Sequence, residues 1–144
     1  MLALRTLGAE VEIGHAAAHL AGVDIVIYSN AIAANNPERL RAAELHTPTL
    51  TRAAALSVLM SESKSVAVAG THGKTTTSSM LAVALQACAA DTSFAIGGTI
   101  TASGSNAHRG TGVIFVAEAD ESDGSFIEDH PFAAIVTNVE HDHV

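Results

Sequence analysis

The sequence predicts the α/β class with a mostly parallel sheet, on three observations. Short apolar runs at 24–28, 66–69, 113–117 and 133–137 alternate with segments long enough for helices. The later runs are too uniformly apolar for half-exposed strands, so they belong in a sheet covered on both faces. Three runs also end in polar clusters, as expected at the carboxyl edge of parallel strands, where ligands collect.

Taken in order, residues 1–9 read as the end of a helix, with Leu2, Leu4 and Leu7 apolar and Gly8 as a stop. Residues 11–13 alternate as a short strand, and 14–20 form a weak helix. The apolar strand 24–28 ends in Ser29-Asn30. Asn36 caps a helix that has Pro37 in its first turn and runs to about Leu45. His46-Thr47-Pro48 breaks it, and Thr51 opens another helix through about Met60. The polar tract 61–64 is the best boundary, which gives domains of 1–61 and 62–144.

The second part reads as strand 65–69, helix 74–89, strand 93–96, a glycine-rich loop 97–112, strand 113–117, a polar loop and strand 133–137. No G-x-G-x-x-G dinucleotide fingerprint occurs in the first part. The chain opens within a helix and closes without a helix over its last strand, so it reads as a fragment.

Bulk properties narrow the function. A hydrophobic fraction of 48% with 15% charged residues suits a packed core. A formal charge of −8 with no Trp argues against broad nucleic-acid or anionic-membrane binding. No apolar run reaches the length of a membrane span, and the first residues lack a secretion signal. The single Cys88, inside an apolar helix, reads as a small buried hydrophobe in a reducing, cytoplasmic setting.

The strongest chemical signal is Gly70-Thr71-His72-Gly73-Lys74-Thr75-Thr76 between a strand and a helix. Glycines let the backbone approach an anion, and the N–H groups at a helix start face it. Lys74 supplies a charge for terminal phosphates and Thr75 a hydroxyl for Mg²⁺. Val68 stands where the general pattern has its first glycine, so this is a shortened nucleotide-triphosphate loop. The bland alternative, a turn that merely joins strand to helix, does not account for Gly-Lys-Thr-Thr at this junction.

Two other strand ends carry candidate ligands. Residues 113–117 lead into Glu118, Asp120, Glu121 and Asp123, the expected place for a Mg²⁺ ligand serving a phosphate loop. A solvated acidic turn is the competing reading. Strand 133–137 leads into Asn138, Glu140, His141, Asp142 and His143, where an imidazole serves as metal ligand or proton shuttle, or is simply exposed. A zinc pair at His141 and His143 lacks further ligands. His15, His19, His46, His108 and His130 read as surface residues, and Arg109 as a solvated charge that is open to an anion.

G-T-H-G-K-T-T-T, G-G-x5-G-x-N-A, E-A-D-E-S-D-G-S-F and T-N-V-E-x-D-H together resemble the ATP-dependent Mur ligases of peptidoglycan synthesis, over nearly the whole chain. Within that family the likeness is strongest to members that join L-alanine to UDP-N-acetylmuramate, and His72 in the loop belongs to that pattern. The resemblance implies the end of a Rossmann-like UDP-sugar domain followed by the opening of a central ATPase domain. It implies that Lys74 binds terminal phosphates, that Thr75 and Glu118 ligate one Mg²⁺, and that His143 joins Glu118 at a second. Lys74, Glu118 and His143 would be the catalytic set. Ser29, Asn30 and Asn106 are candidates for the sugar nucleotide. His141 departs from the family, which has a small residue or proline there. The implied chemistry is attack of a lactyl carboxylate on the ATP γ-phosphate, followed by displacement of phosphate by the amine of L-alanine.

Three rivals stay open. A recycling ligase that adds a ready-made peptide to the same sugar shares the G-T-H-G-K-T loop, although Ser122 and the spacing from Glu118 to His143 favour the alanine-adding members. A non-catalytic ATP-binding module is a second rival. An ordinary phosphate-loop kinase is a third, disfavoured by Val68 and the 97–112 loop.

Overall fold

The computed structural model describes residues 2–119 and 130–140. The chain divides into two compact units, Met1–Arg52 and Ala53–Val144. That division falls ahead of the polar 61–64 tract because the helix between the two points packs within the second unit.

The first unit runs α1 (Leu2–Thr6), a 3-10 turn (Ala17–Leu20), β1 (Val26–Tyr28), α2 (Pro37–Leu45) and β2 (Thr49–Thr51). β1 and β2 pair in parallel, Val26 opposite Thr49. The Asn36 side chain caps α2 by accepting from the N–H groups of Glu38 (2.9 Å) and Arg39 (3.4 Å), and Pro37 takes the first helical position. His46, in the left-handed region at φ 56°, ends the helix. The Glu38 carboxylate meets His15 and His19 Nδ1, each at 2.7 Å, and the Arg39 guanidinium lies 4.2 Å over the Tyr28 ring. The His15 hydrogen bond leads the causes that hold the Glu38 carboxyl below its ordinary range, against an opposing desolvation.

The expected strand at 11–13 is absent; that segment is irregular, too short and too exposed to pair. The helix expected at 14–20 shrinks to the 3-10 turn. β2 replaces the expected start of a helix at Thr51: Pro48 precedes three residues of extended backbone, and α3 (Arg52–Ser61) begins after them.

The second unit continues with β3 (Lys64–Ala69), α4 (Lys74–Ala87), β4 (Ser93–Ile100), β5 (Ser105–His108), β6 (Ile114–Glu118) and β7 (Ala133–Val136). The sheet order is β5-β4-β6-β3-β7. The pairs β4–β6, β6–β3 and β3–β7 are parallel, and β5 is antiparallel to β4 at one edge. The period-2 alternation of β6 splits the core between the two faces. Phe115 and Ala117 join Met60, Ala67 and Leu56 on the α3 side; Val116 and Ile114 join Ala82, Leu81, Leu85 and Phe94 on the α4 side. The central strands are therefore covered on both faces, as their composition requires.

Three expectations are corrected here. Half of the glycine-rich 97–112 segment is sheet: β4 runs on through Gly97 and Gly98 to Ile100, and β5 (Ser105–His108) folds back on it. β7 is apolar yet mostly exposed, with Val136 59% accessible, because it lies at the edge of the described sheet. Cys88 is exposed at the end of α4 rather than buried, since the helix turns it away from the Ala82 face.

Candidate active site

The candidate site forms where β3, β6 and β7, three adjacent parallel strands, release their C-terminal ends. After Ala69 the chain turns at Gly70, whose φ of 128° is a region that side-chain-bearing residues avoid. A Cβ there would also overlap Thr137 Oγ1. Gly73, at φ 81°, is the N-cap of α4. The first bond of α4, Thr77 N to Gly73 O at 3.0 Å, leaves the preceding turn of N–H groups ahead of the helical ladder. That end carries the positive pole of the helix dipole and suits an anion. Lys74 Nζ donates to Gly70 O at 2.6 Å, folding the side chain over the loop that it serves.

Glu118, the last residue of β6, reaches across to α4. Thr75 Oγ1 donates to its Oε2 at 3.2 Å, while Gly97 N and Ser78 Oγ approach its Oε1 at 2.9 and 3.1 Å. The neighbouring glycines of β4 make room: a Cβ on Gly97 would stand 3.1 Å from Glu118 Oε2, and one on Gly98 2.7 Å from Thr75 Cγ2. Carboxylate and hydroxyl are hard oxygen donors of the kind Mg²⁺ takes, usually from one or two carboxylates together with substrate phosphates. Among the described residues no group of three His, Cys, Asp or Glu side chains gathers as a metal cage. Thr75 and Glu118 fit a phosphate-bound Mg²⁺.

Of the predicted residues, the structure brings together Gly70, Thr71, His72, Gly73, Lys74, Thr75, Thr76 and Glu118. His143, with His141, Asp142 and the acidic residues 120–123, lies outside the described residues. Ser29 and Asn30 follow β1 in the first unit, and Asn106 is exposed on β5 in the second. Sequence reasoning missed Ser78, which is fully buried one turn beyond Lys74 and Thr75. Its signal was present: on a helix, positions three and four apart share a face. It gave Thr137 no role and took Asn138 only as one of several strand-end groups open to a cation. Arg109 lines an open hollow of about 730 Å³ with Lys64, beside the start of β3 rather than its end.

The family model "Mur ligase family, catalytic domain" matches residues 2–64, ending where β3 begins. That match takes in under half of the chain, which is similar to the Mur ligase family. Over all 144 residues it is 54% identical to a UDP-N-acetylmuramate–L-alanine ligase of a Nocardioides species and 57% identical to that of Acidothermus cellulolyticus. It spans 32% and 30% of those relatives' lengths. A solved UDP-N-acetylmuramate–alanine ligase from Thermotoga maritima matches with a TM-score of 0.87 at 35% identity, over 97% of this chain and 33% of that one. A UDP-N-acetylmuramate:L-alanyl-γ-D-glutamyl-meso-diaminopimelate ligase from Neisseria meningitides gives 0.87 at 30% identity, over 99% of this chain and 50% of that one.

Proposed function

We propose that this chain supplies the nucleotide-binding loop of an ATP-dependent ligase that joins L-alanine to UDP-N-acetylmuramate in peptidoglycan synthesis. The observation that carries the reading is the Thr75–Glu118 pair at 3.2 Å, set at the mouth of a glycine-bounded loop and its helix. In this reading residues 62–144 open the ATP domain, and 1–61 close a domain for the UDP-sugar. Ser29, Asn30 and Asn106 contact the sugar nucleotide.

Lys74 and the N–H groups at the start of α4 bind the terminal phosphates and stabilise charge that builds during phosphoryl transfer. Thr75 and Glu118 hold Mg²⁺, with His143 contributing to a second ion. The metal offsets repulsion between ATP and the substrate carboxylate. The carboxylate takes the γ-phosphate, ADP leaves, and the alanine amine then displaces phosphate to give the amide. Among the described residues no helix is long and apolar enough to cross a membrane.

The test is phosphate release by the full-length protein with Mg·ATP. Release that requires both UDP-N-acetylmuramate and L-alanine is the expected result. Release without either substrate, or ATP binding with no release, refutes the ligase reading. The Neisseria likeness at an equal TM-score favours one second reading, a ligase for a preformed peptide; faster turnover with L-alanyl-γ-D-glutamyl-diaminopimelate than with L-alanine establishes it.

A further inference from the structure

We propose that Thr137 and Asn138, where the chain leaves β7, are positioning residues for the tip of the phosphate loop. Both backbone polar groups of His72 are held from this side. Its N–H donates to Asn138 Oδ1 at 3.0 Å, and its carbonyl accepts from Thr137 Oγ1 at 2.6 Å. The same Thr137 hydroxyl lies 3.2 Å from Ala69 O, and Thr137 N donates to that oxygen at 3.0 Å. One residue earlier in the loop, Thr71 Oγ1 accepts from Glu140 N at 3.3 Å. The loop is thus fixed at Ala69, Thr71 and His72 by a segment more than sixty residues later in the chain.

The physical consequence is preorganisation. A glycine-bounded loop samples many backbone conformations, and a ligand that orders it loses affinity by that amount. Pinning both sides of His72 stops the peptide units on either side of it from rotating. The N–H groups that follow, at the start of α4, then keep their direction toward an anion before the anion arrives. The absence of a side chain at Gly70 is part of the same arrangement, because Thr137 occupies the space that a Cβ would need. Neither Thr137 nor Asn138 has to touch the nucleotide to do this.

The inference rests on the nucleotide reading of residues 70–76, and the experiment separates the two. Mg·ATP affinity and steady-state KM values are measured on the full-length protein and on Thr137→Val, Asn138→Ala and Thr137→Ser, with thermal unfolding run alongside. Losing one hydrogen bond to the loop is expected to weaken Mg·ATP binding by about three- to tenfold for Thr137→Val and for Asn138→Ala. KM for the amino acid stays unchanged, and Thr137→Ser, which keeps the hydroxyl, retains wild-type ATP affinity. Equal ATP affinity in all four proteins overturns the proposal. So does equal loss in Thr137→Ser and Thr137→Val, which marks a packing role. Wild-type protein that does not bind Mg·ATP overturns the nucleotide reading, and this proposal with it.

Discussion

Replacing Gly70 by alanine incurs two separable penalties that add. The first is dihedral: φ of 128° is a region where a non-glycine residue is strained by about 1–3 kcal/mol. The second is steric. The new Cβ overlaps Thr137 Oγ1 and also stands 3.0 and 3.1 Å from Asn138 O and N, so a rotamer change at Thr137 cannot relieve all of it. Overpacking of that kind adds about 1–3 kcal/mol. Gly104→Ala isolates the dihedral part: φ there is 66°, and nothing lies within 4 Å of its Cβ. It should destabilise by about 1–2 kcal/mol. Gly70→Ala should therefore lose roughly 2 kcal/mol more than Gly104→Ala in urea denaturation. Mg·ATP affinity should fall only in Gly70→Ala, because Gly104 lies in the β4–β5 turn, away from the loop. Equal losses of stability, or an unchanged ATP affinity in Gly70→Ala, would refute the argument.

Three further outcomes are expected. Ser78→Ala removes a donor from the buried side of Glu118 and should raise the Mg²⁺ concentration for half-maximal nucleotide binding roughly two- to tenfold, read by magnesium titration. Phe94→Ala empties a site that is 1% exposed in the α4-side core and should lower stability by about 3–5 kcal/mol in the same denaturation assay. Asp91 accepts from His108, the leading cause, and from Thr111, which together lower its pKa from the ordinary 3.8 to about 2. A depressed carboxylate stabilises the fold fully above 3.8 and loses that contribution as pH falls through about 2. Unfolding midpoints should therefore fall less steeply for Asp91→Asn than for wild type over that acid window, and identical profiles would exclude the linkage.

The legible parts of this fold were those set by local pattern. The run 66–69, the glycines at 70 and 73 and the lysine and threonines after them specify strand, turn and helix within a dozen residues, and Glu118 is an acid at the end of an apolar strand. The illegible parts depend on partners distant in sequence. Gly97 and Gly98 look like loop residues, yet they are strand positions kept bare so that Glu118 and Thr75 fit beside them. β5, with its Ser105-Asn106-Ala107-His108 sequence, is a strand only because β4 is there to pair with it. Thr49–Thr51 is held as β2 by register with β1. Ser78 carries no motif, Thr137 and Asn138 open T-N-V-E-x-D-H with no task that the motif itself states, and the contacts of all three to Glu118 and to the loop exist only in three dimensions. Cys88 shows the converse limit, since an apolar neighbourhood in sequence did not decide which side of the helix it occupies.

The bracing of the loop by β7 has a bearing on biosynthesis. The bonds to His72 span 65 and 66 residues. A ribosome therefore releases the glycine turn and its helix well before the strand that steadies them. On the proposed reading, nascent protein at that stage has the letters of a phosphate loop without its braced shape, and full affinity for ATP follows the pairing of β7 at the edge of the described sheet.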